Sequence, residues 1–153
     1  MIDGVLKHEG SLDHGTSLSA YETQFQIAGK DGFSHNEVNP DAQPNRMLQI
    51  WMRPMVNNMA ATYDVVPAVP DEIVTLYDPH KYYAQVGDDG VIARACRFTR
   101  DKTFDMTGAF MAYLGEGNAE IDDQSISAGC MIKGEDATIK LSGAGFIVLF
   151  EPV

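Results

Sequence analysis

The stretch of sequence that decides the fold, residues 109–150, reads AFMAYLGEGNAEIDDQSISAGCMIKGEDATIKLSGAGFIVLF. Short runs rich in apolar or β-branched side chains alternate here with small groups of Gly, Asp and Asn. This spacing is typical of strands joined by tight turns, because these residues adopt the backbone conformations that turns require. The sequence therefore predicts strands at residues 109–114, 118–121, 124–127, 130–132, 137–141 and 145–150, with turns at 115–117, 122–123 and Gly143.

The earlier part of the chain has the same character. Residues 21–27 alternate apolar or β-branched with polar side chains, and residues 46–52 form a mostly apolar run. Residues 82–86 and 91–99 flank Gly87-Asp88-Asp89-Gly90, which predicts a hairpin. No convincing run of apolar residues at helical spacing exceeds two turns. We therefore expect an all-β protein, built as a sandwich or barrel.

The domain organisation is indicated by a change in pattern near the middle of the chain. Residues 57–70 carry two prolines, Pro67 and Pro70, and little periodicity. This segment is interpreted as an extended connector. It would separate an N-terminal unit, residues 1–56, from a C-terminal unit, residues 71–153.

Composition excludes some classes of function. The chain has 153 residues and a formal charge of −11, so it is a poor general binder of nucleic acid. Its one basic cluster, at residues 94–102, is expected to decorate a solvated edge, with an anion site as the alternative. There is no apolar run long enough for a membrane span and no signal-peptide pattern, so we expect a cytoplasmic protein. Cys96 and Cys130 are expected to be reduced, buried small side chains.

The sequence holds one local group that could bind a metal. Among the four histidines, His35 stands two residues before Glu37. On a strand these side chains leave from the same face, and together they make half of an iron-type site. The alternative is a partly exposed histidine and glutamate at a strand end.

The residues around this pair resemble the pirin family of the cupin superfamily. The similarity is carried by residues 26–37, QIAGKDGFSHNE, and by Leu48-Gln49-Ile50-Trp51. It extends upstream to residues 10–17, GSLDHGTS, and downstream to residues 111–121, MAYLGEGNAEI. The resemblance implies a cupin-type β-barrel fold of the jelly-roll kind, with one full C-terminal barrel and a partial N-terminal barrel.

The resemblance also implies a metal site with some members missing. In pirins the N-terminal barrel holds a metal, usually iron, through three histidines and one glutamate. His35 and Glu37 match the last two of these ligands, whereas the chain contains no His-x-His motif that could match the first two. A third ligand would have to be His14, His8 or a residue of a second protomer. The metal would be Fe, Ni, Zn or Mn.

These observations lead to a functional hypothesis with one alternative. We expect a non-catalytic cupin, or one with a vestigial metal site, that binds a small molecule or a protein. The alternative is a metal-dependent dioxygenase of the quercetinase type. A homodimer is expected, and so is a small aromatic ligand, whereas nucleic acid and membranes are not expected as partners. Trp51 is interpreted as core or barrel-mouth packing, and the methionines at 47, 52, 55 and 59 as a candidate dimer surface or core.

Overall fold

The computed structural model describes residues 1–53, 59–83, 85–87 and 90–153. Within this part of the chain every regular element is a β-strand except one short 3-10 helix. The prediction of an all-β protein is therefore confirmed. The chain divides into two compact units, Met1–Pro67 and Ala68–Val153.

The first unit contains two small antiparallel sheets. One has the strand order β2-β1-β4, from β1 (Leu6–Gly10), β2 (Ser17–Leu18) and β4 (His35–Val38). The other pairs β3 (Thr23–Ile27) with β5 (Thr62–Val66). Leu6 and Leu18 are opposite each other and both are buried, so the inner face of β1 is fixed by this apolar pair.

The second unit is built around two long strands, β9 (Ala109–Ile121) and β12 (Thr138–Pro152), which lie side by side. The main sheet has the order β10-β9-β12-β7-β6. The short strand β11 also pairs with β9, and β8 pairs with β12. The remaining elements are β6 (Ile73–Tyr77), the 3-10 helix Pro79–Lys81, β7 (Val91–Phe98), β8 (Lys102–Asp105), β10 (Gln124–Ser127) and β11 (Met131–Glu135).

The core of this unit follows from strand alternation. The fully buried core residues include Phe98, Leu114, Ile139 and Ile147. Burial alternates along much of β9, as the period of two requires, whereas residues 145–149 of β12 are all buried, so both faces of that segment are covered. The burial of these large apolar side chains is the main stabilising contribution to the unit.

Two glycine-containing segments were predicted as turns, and the structure shows strands instead. β9 runs without interruption through residues 115–117, and β12 runs through Gly143. Gly117 and Gly143 have φ of 87° and 79°, and the β9–β12 register shifts between Ser142 and Phe146. These glycines therefore mark an irregularity within a long strand pair. Such an irregularity, like a turn, favours glycine because glycine readily adopts a positive φ.

Three other sequence-based expectations need correction. Residues 82, 83, 85 and 86 belong to no strand, and β7 pairs instead with β6, because the 3-10 helix occupies the start of the connection. Residues 88 and 89 of the expected turn lie outside the described residues. Residues 46–52 form only an isolated bridge, between Arg46 and Asp3. The expected connector 57–70 contains β5, although its residues 57 and 58 lie outside the described part.

The exposure of two single residues also differs from expectation. The Trp51 side chain is 86% exposed, so it is not core packing within this chain. Of the two free cysteines, Cys96 is buried as expected but Cys130 is exposed. Trp51 and Cys130 lie outside the strands, where the alternation of residues does not indicate which side chains are buried. Met55 falls outside the described residues, and Met47 is 44% exposed. None of the described helical segments has the length and apolarity of a membrane-crossing helix.

Candidate functional site

The candidate site lies on one face of the pair formed by β1 and β4. His8 is directly opposite Glu37, and Gly10 is directly opposite His35. Cross-strand partners in an antiparallel pair share a face, and so do residues two apart on one strand. His8, His35 and Glu37 are therefore brought to one face. Lys7 and Glu9 leave β1 from the other face, where their side chains form a 3.0 Å ion pair.

His8 is the buried member of this group, with no exposed surface. Its Nε2 lies 2.9 Å from the carbonyl oxygen of Leu12. A carbonyl can only accept a hydrogen bond, so Nε2 carries the proton. In the neutral ring Nδ1 is then an unprotonated acceptor, and it has no hydrogen-bond partner among the described residues.

Two hydrogen-bonded side chains, Gln24 and Tyr63, hold Glu37 in place. The Gln24 amide donates to Glu37 Oε1, and the Tyr63 hydroxyl donates to Gln24 Oε1 over 3.2 Å. Burial raises the pKa of Tyr63, and the negative charges of Asp13 and Glu37 add to the effect. The phenol therefore stays protonated and able to donate. The Tyr63 ring also packs on His8, with ring centroids 4.6 Å apart.

His35 lies at the exposed end of the group. Its ring centroid is 5.5 Å from that of His8 and 5.2 Å from that of Phe33. His14 is exposed. Of the two histidines considered as a third ligand, His8 lies beside His35, with ring contact between them.

The side chains of this face do not form a transition-metal site in their present arrangement. No three His, Cys, Asp or Glu side chains in the described ranges converge with metal-binding geometry. His8 Nε2 is engaged by Leu12, and Glu37 Oε1 is engaged by Gln24. A 2-His-1-carboxylate site needs three converging ligands, so the arrangement as it stands does not fit one. His35 and Glu37 as metal ligands stay a prediction.

Sequence reasoning missed three polar residues of the β3–β5 pair, of which Gln24 and Tyr63 contact the site. Gln24 and Gln26 lie two apart on β3, and Tyr63 on β5 is directly opposite Gln26. The Oε1 atom of Gln26 is buried and has no partner among the described residues. In the sequence, both glutamines occupy the polar positions of an alternating strand, which normally indicates the solvent face. No local signal could have reversed that interpretation.

The basic cluster at residues 94–102 does not form an open anion site. Arg94 pairs with Glu151, and the Arg100 guanidinium lies 3.5 Å from the Asp71 carboxylate. Lys102 donates to the backbone carbonyl of Asp71. Arg94, Arg100 and Lys102 thus have acidic or carbonyl partners.

Comparison with solved structures identifies the fold. The bacterial pirin YhhW of Escherichia coli superposes with a TM-score of 0.74 at 19% sequence identity, over 99% of this chain and 70% of that one. The chain has the pirin fold. A second structure of the same pirin, in complex with nickel(II), gives a TM-score of 0.75. A quercetin 2,3-dioxygenase of Acinetobacter baumannii gives 0.64 at 21% identity, over 98% of this chain and 56% of that one. The predicted cupin-type architecture is therefore confirmed.

Sequence comparison gives partial matches to longer proteins. A Pasteurella multocida protein, provisionally named a quercetin 2,3-dioxygenase, is 32% identical over 65 residues, which are 42% of this pirin-fold chain and 28% of that protein. A Zymomonas mobilis protein with the same provisional name is 38% identical over 52 residues, 34% of this chain and 22% of that protein. The matches thus span about a quarter of the relatives' length. No family model matches the chain.

Proposed function

We propose that this chain is a pirin-like cupin that binds a small molecule, or a protein, without catalysing a reaction. The observation that carries the proposal is the arrangement of His8, His35 and Glu37. They share one face of the β1–β4 pair, but within the described residues no three His, Cys, Asp or Glu side chains converge with metal-binding geometry. A 2-His-1-carboxylate site requires three converging protein ligands. A small aromatic ligand and a cytoplasmic location remain part of the proposal.

The test is metal analysis together with oxygen uptake. Protein purified without added metal is analysed for iron, nickel, zinc and manganese, and oxygen consumption is followed with quercetin. We expect less than stoichiometric metal and no uptake above that of heat-treated protein. Stoichiometric metal that is lost in His35→Ala but kept in His80→Ala, with quercetin-dependent uptake, would contradict the proposal.

One observation favours a second candidate function, a metal-dependent dioxygenase of the quercetinase type. His8 and His35 have ring centroids 5.5 Å apart, and Glu37 is on the same face. If their side chains converged, His8 through its unpartnered Nδ1, His35 and Glu37 would be the intrachain ligands, or a second protomer would supply the third. A transition metal held there would activate oxygen and the substrate hydroxyl. The positive outcome of the same metal and oxygen measurements supports this alternative.

We also propose that the chain forms a homodimer through the first unit. Among the described strands β4 pairs only with β1, so its other edge carries no strand. Unpaired strand edges and exposed apolar side chains favour association. Trp51 is 86% exposed, and Met47 and Val38 are also among the exposed large apolar residues. Multi-angle light scattering at micromolar concentration should give the mass of two chains, and a stable monomer would refute the dimer.

A further inference from the structure

Two atoms of the candidate site are unusual because they are buried acceptors without a donor. His8 Nδ1 and Gln26 Oε1 have no hydrogen-bond partner within the described part of the chain. Buried polar atoms are almost always paired, and an unpaired acceptor costs about 1–3 kcal/mol. His8 cannot relieve the cost by changing tautomer, because its Nε2 proton is held by the Leu12 carbonyl. The site therefore favours a group that donates hydrogen bonds.

The two acceptors belong to the same part of the first unit. Gln26 is directly opposite Tyr63 in the β3–β5 pair, and the Tyr63 ring lies 4.6 Å from the His8 ring. The Tyr63 hydroxyl cannot serve either acceptor, because it donates to Gln24. No donor among the described side chains reaches either atom, so the donor is a water molecule or a bound ligand that displaces it.

The charges and ring contacts around the two acceptors indicate which class of molecule could supply the donor. Glu37 is directly opposite His8, and its negative charge contributes to the raised pKa of Tyr63 together with that of Asp13. The Tyr63, His8, His35 and Phe33 rings form a continuous series of contacts, with centroid distances of 4.6, 5.5 and 5.2 Å. A negative carboxylate, bare acceptors and aromatic faces together suit an organic cation that carries N–H donors.

We propose that this face binds a small organic primary ammonium cation without a metal. Its N–H groups would donate to His8 Nδ1 and Gln26 Oε1, with the Glu37 carboxylate as the counter-charge. His35, at the exposed end, would turn to admit the ligand. A primary ammonium group has three N–H donors, which matches two neutral acceptors and one carboxylate. This inference rests on the proposed non-catalytic function and deepens it by naming the class of ligand.

The experiment compares three probes of similar shape on protein stripped of metal. Benzylammonium has both charge and N–H donors, benzyltrimethylammonium has the charge alone, and benzyl alcohol has a donor without charge. We expect benzylammonium to bind at least about tenfold more tightly than either analogue, measured by NMR titration. Equal binding of the trimethyl analogue or of the alcohol, binding of none of the probes, or binding that requires added nickel would overturn the proposal.

Variants locate the site. Gln26→Leu and His8→Phe should each weaken benzylammonium binding about tenfold or more, whereas His80→Phe in the second unit should not. Because His8→Phe could disturb folding, the ring ¹⁵N shifts of His8 are also followed in the unchanged protein. We expect Nδ1 to move on addition of benzylammonium while Nε2 stays protonated. An unmoved Nδ1 at saturation would overturn the assignment. Metal content and oxygen uptake, which test the proposed function, are independent of these readouts.

Discussion

His8 on β1 lies directly opposite Glu37 on β4, although the two residues are far apart in the sequence. The next pair on the same face is Gly10 and His35. A glycine in this position leaves room beside two imidazole rings. The geometry of the candidate site thus depends on a residue that has no side chain.

Gly10→Ala tests this dependence. A Cβ at Gly10 would lie 2.7 Å from the Ser34 carbonyl oxygen and 3.0 Å from both His35 Cβ and His8 Nε2. Because two of these neighbours are backbone or near-backbone atoms, the crowding cannot be relieved by rotation of a flexible side chain. We expect a loss of about 1–3 kcal/mol in the free energy of unfolding, measured with urea. We also expect altered NMR signals of the His8 ring.

The control is Gly129→Ala in the second unit, where a Cβ would meet nothing within 4 Å but φ is 89°. It should lower stability through backbone strain alone and leave the His8 signals in place. Unchanged stability and unchanged His8 signals in Gly10→Ala would show that the two rings are not confined by strand pairing.

Tyr63→Phe tests the chain of side chains that holds Glu37. The variant removes the hydroxyl that donates to Gln24, so we expect a loss of about 0.5–1.5 kcal/mol near neutral pH. Tyr113→Phe, the same exchange in the second unit, is the control. A variant as stable as the unmodified protein would mean that Gln24 holds Glu37 without Tyr63.

The stabilisation lost in Tyr63→Phe is also expected to depend on pH in the alkaline range. The pKa of Tyr63 is raised in the folded protein, first by burial and then by the charges of Asp13 and Glu37. A raised pKa stabilises the fold fully below the unfolded value of about 10, and this contribution is lost as pH rises through the folded pKa. The stability difference between the unmodified protein and Tyr63→Phe should therefore shrink above about pH 10 in urea titrations. A constant difference would contradict the shift.

Asp71 is expected to stabilise the start of the second unit through its hydrogen bonds to Thr99. Its carboxylate accepts hydrogen bonds from the Thr99 amide at 2.8 Å and the Thr99 hydroxyl at 2.7 Å. These bonds lower its pKa, and the charges of Arg100 and Lys102 add smaller contributions. A lowered pKa stabilises the fold above about pH 4 and ceases to do so as pH falls through the folded value.

Asp71→Asn should therefore lower the thermal midpoint at pH 7, and the difference should disappear in acid. Asparagine tolerates the φ of 62° found at this position, so backbone strain does not enter the comparison. Asp41→Asn, at an exposed position of the first unit, serves as the control. A difference that persists unchanged at pH 2–3 would exclude ionisation of Asp71 as the cause.

The sequence predicted those features that depend on neighbouring residues. Strands β10 and β11, the separate halves of β9 and β12, and the common face of His35 and Glu37 follow from a period of two, which is a local property. It did not select His8 over His14, because that choice depends on how β1 aligns with β4. The alternation of Leu6, His8 and Gly10 against Lys7 and Glu9 was a usable signal. Gln24, Gln26 and Tyr63 were not predictable, since only tertiary packing places them together.

Glycines in the long strands were misinterpreted for a related reason, and Gly145→Ala shows what they do. A Cβ at Gly145 would collide with the Glu116 carbonyl and lie 2.5 Å from Phe98 Cζ, so we expect a loss of about 3 kcal/mol or more. Gly143→Ala meets nothing within 4 Å and should cost only the backbone strain of its φ of 79°, about 1–2 kcal/mol. Equal losses in urea unfolding would indicate that close approach of β9 and β12 is not what selects glycine at 145.

Trp51 gives a direct readout of the proposed dimer, because it is the chain's single tryptophan and is 86% exposed within one chain. We expect its fluorescence to shift toward the red on dilution, as the indole passes from an interface into water. Trp51→Gln should raise the dissociation constant of the dimer about 30-fold or more, as for an aromatic residue at the centre of an interface. The stability of the monomer should change by less than about 0.5 kcal/mol, since the side chain packs little within its own chain.

Met131→Gln is the matched control, because it removes an apolar side chain that is 58% exposed on the second unit. It should leave the dissociation constant unchanged. If dilution does not shift the Trp51 emission, and light scattering gives one chain at every concentration, the first unit does not associate through this surface. A dimer that is weakened by Met131→Gln and not by Trp51→Gln would place the interface on the second unit instead.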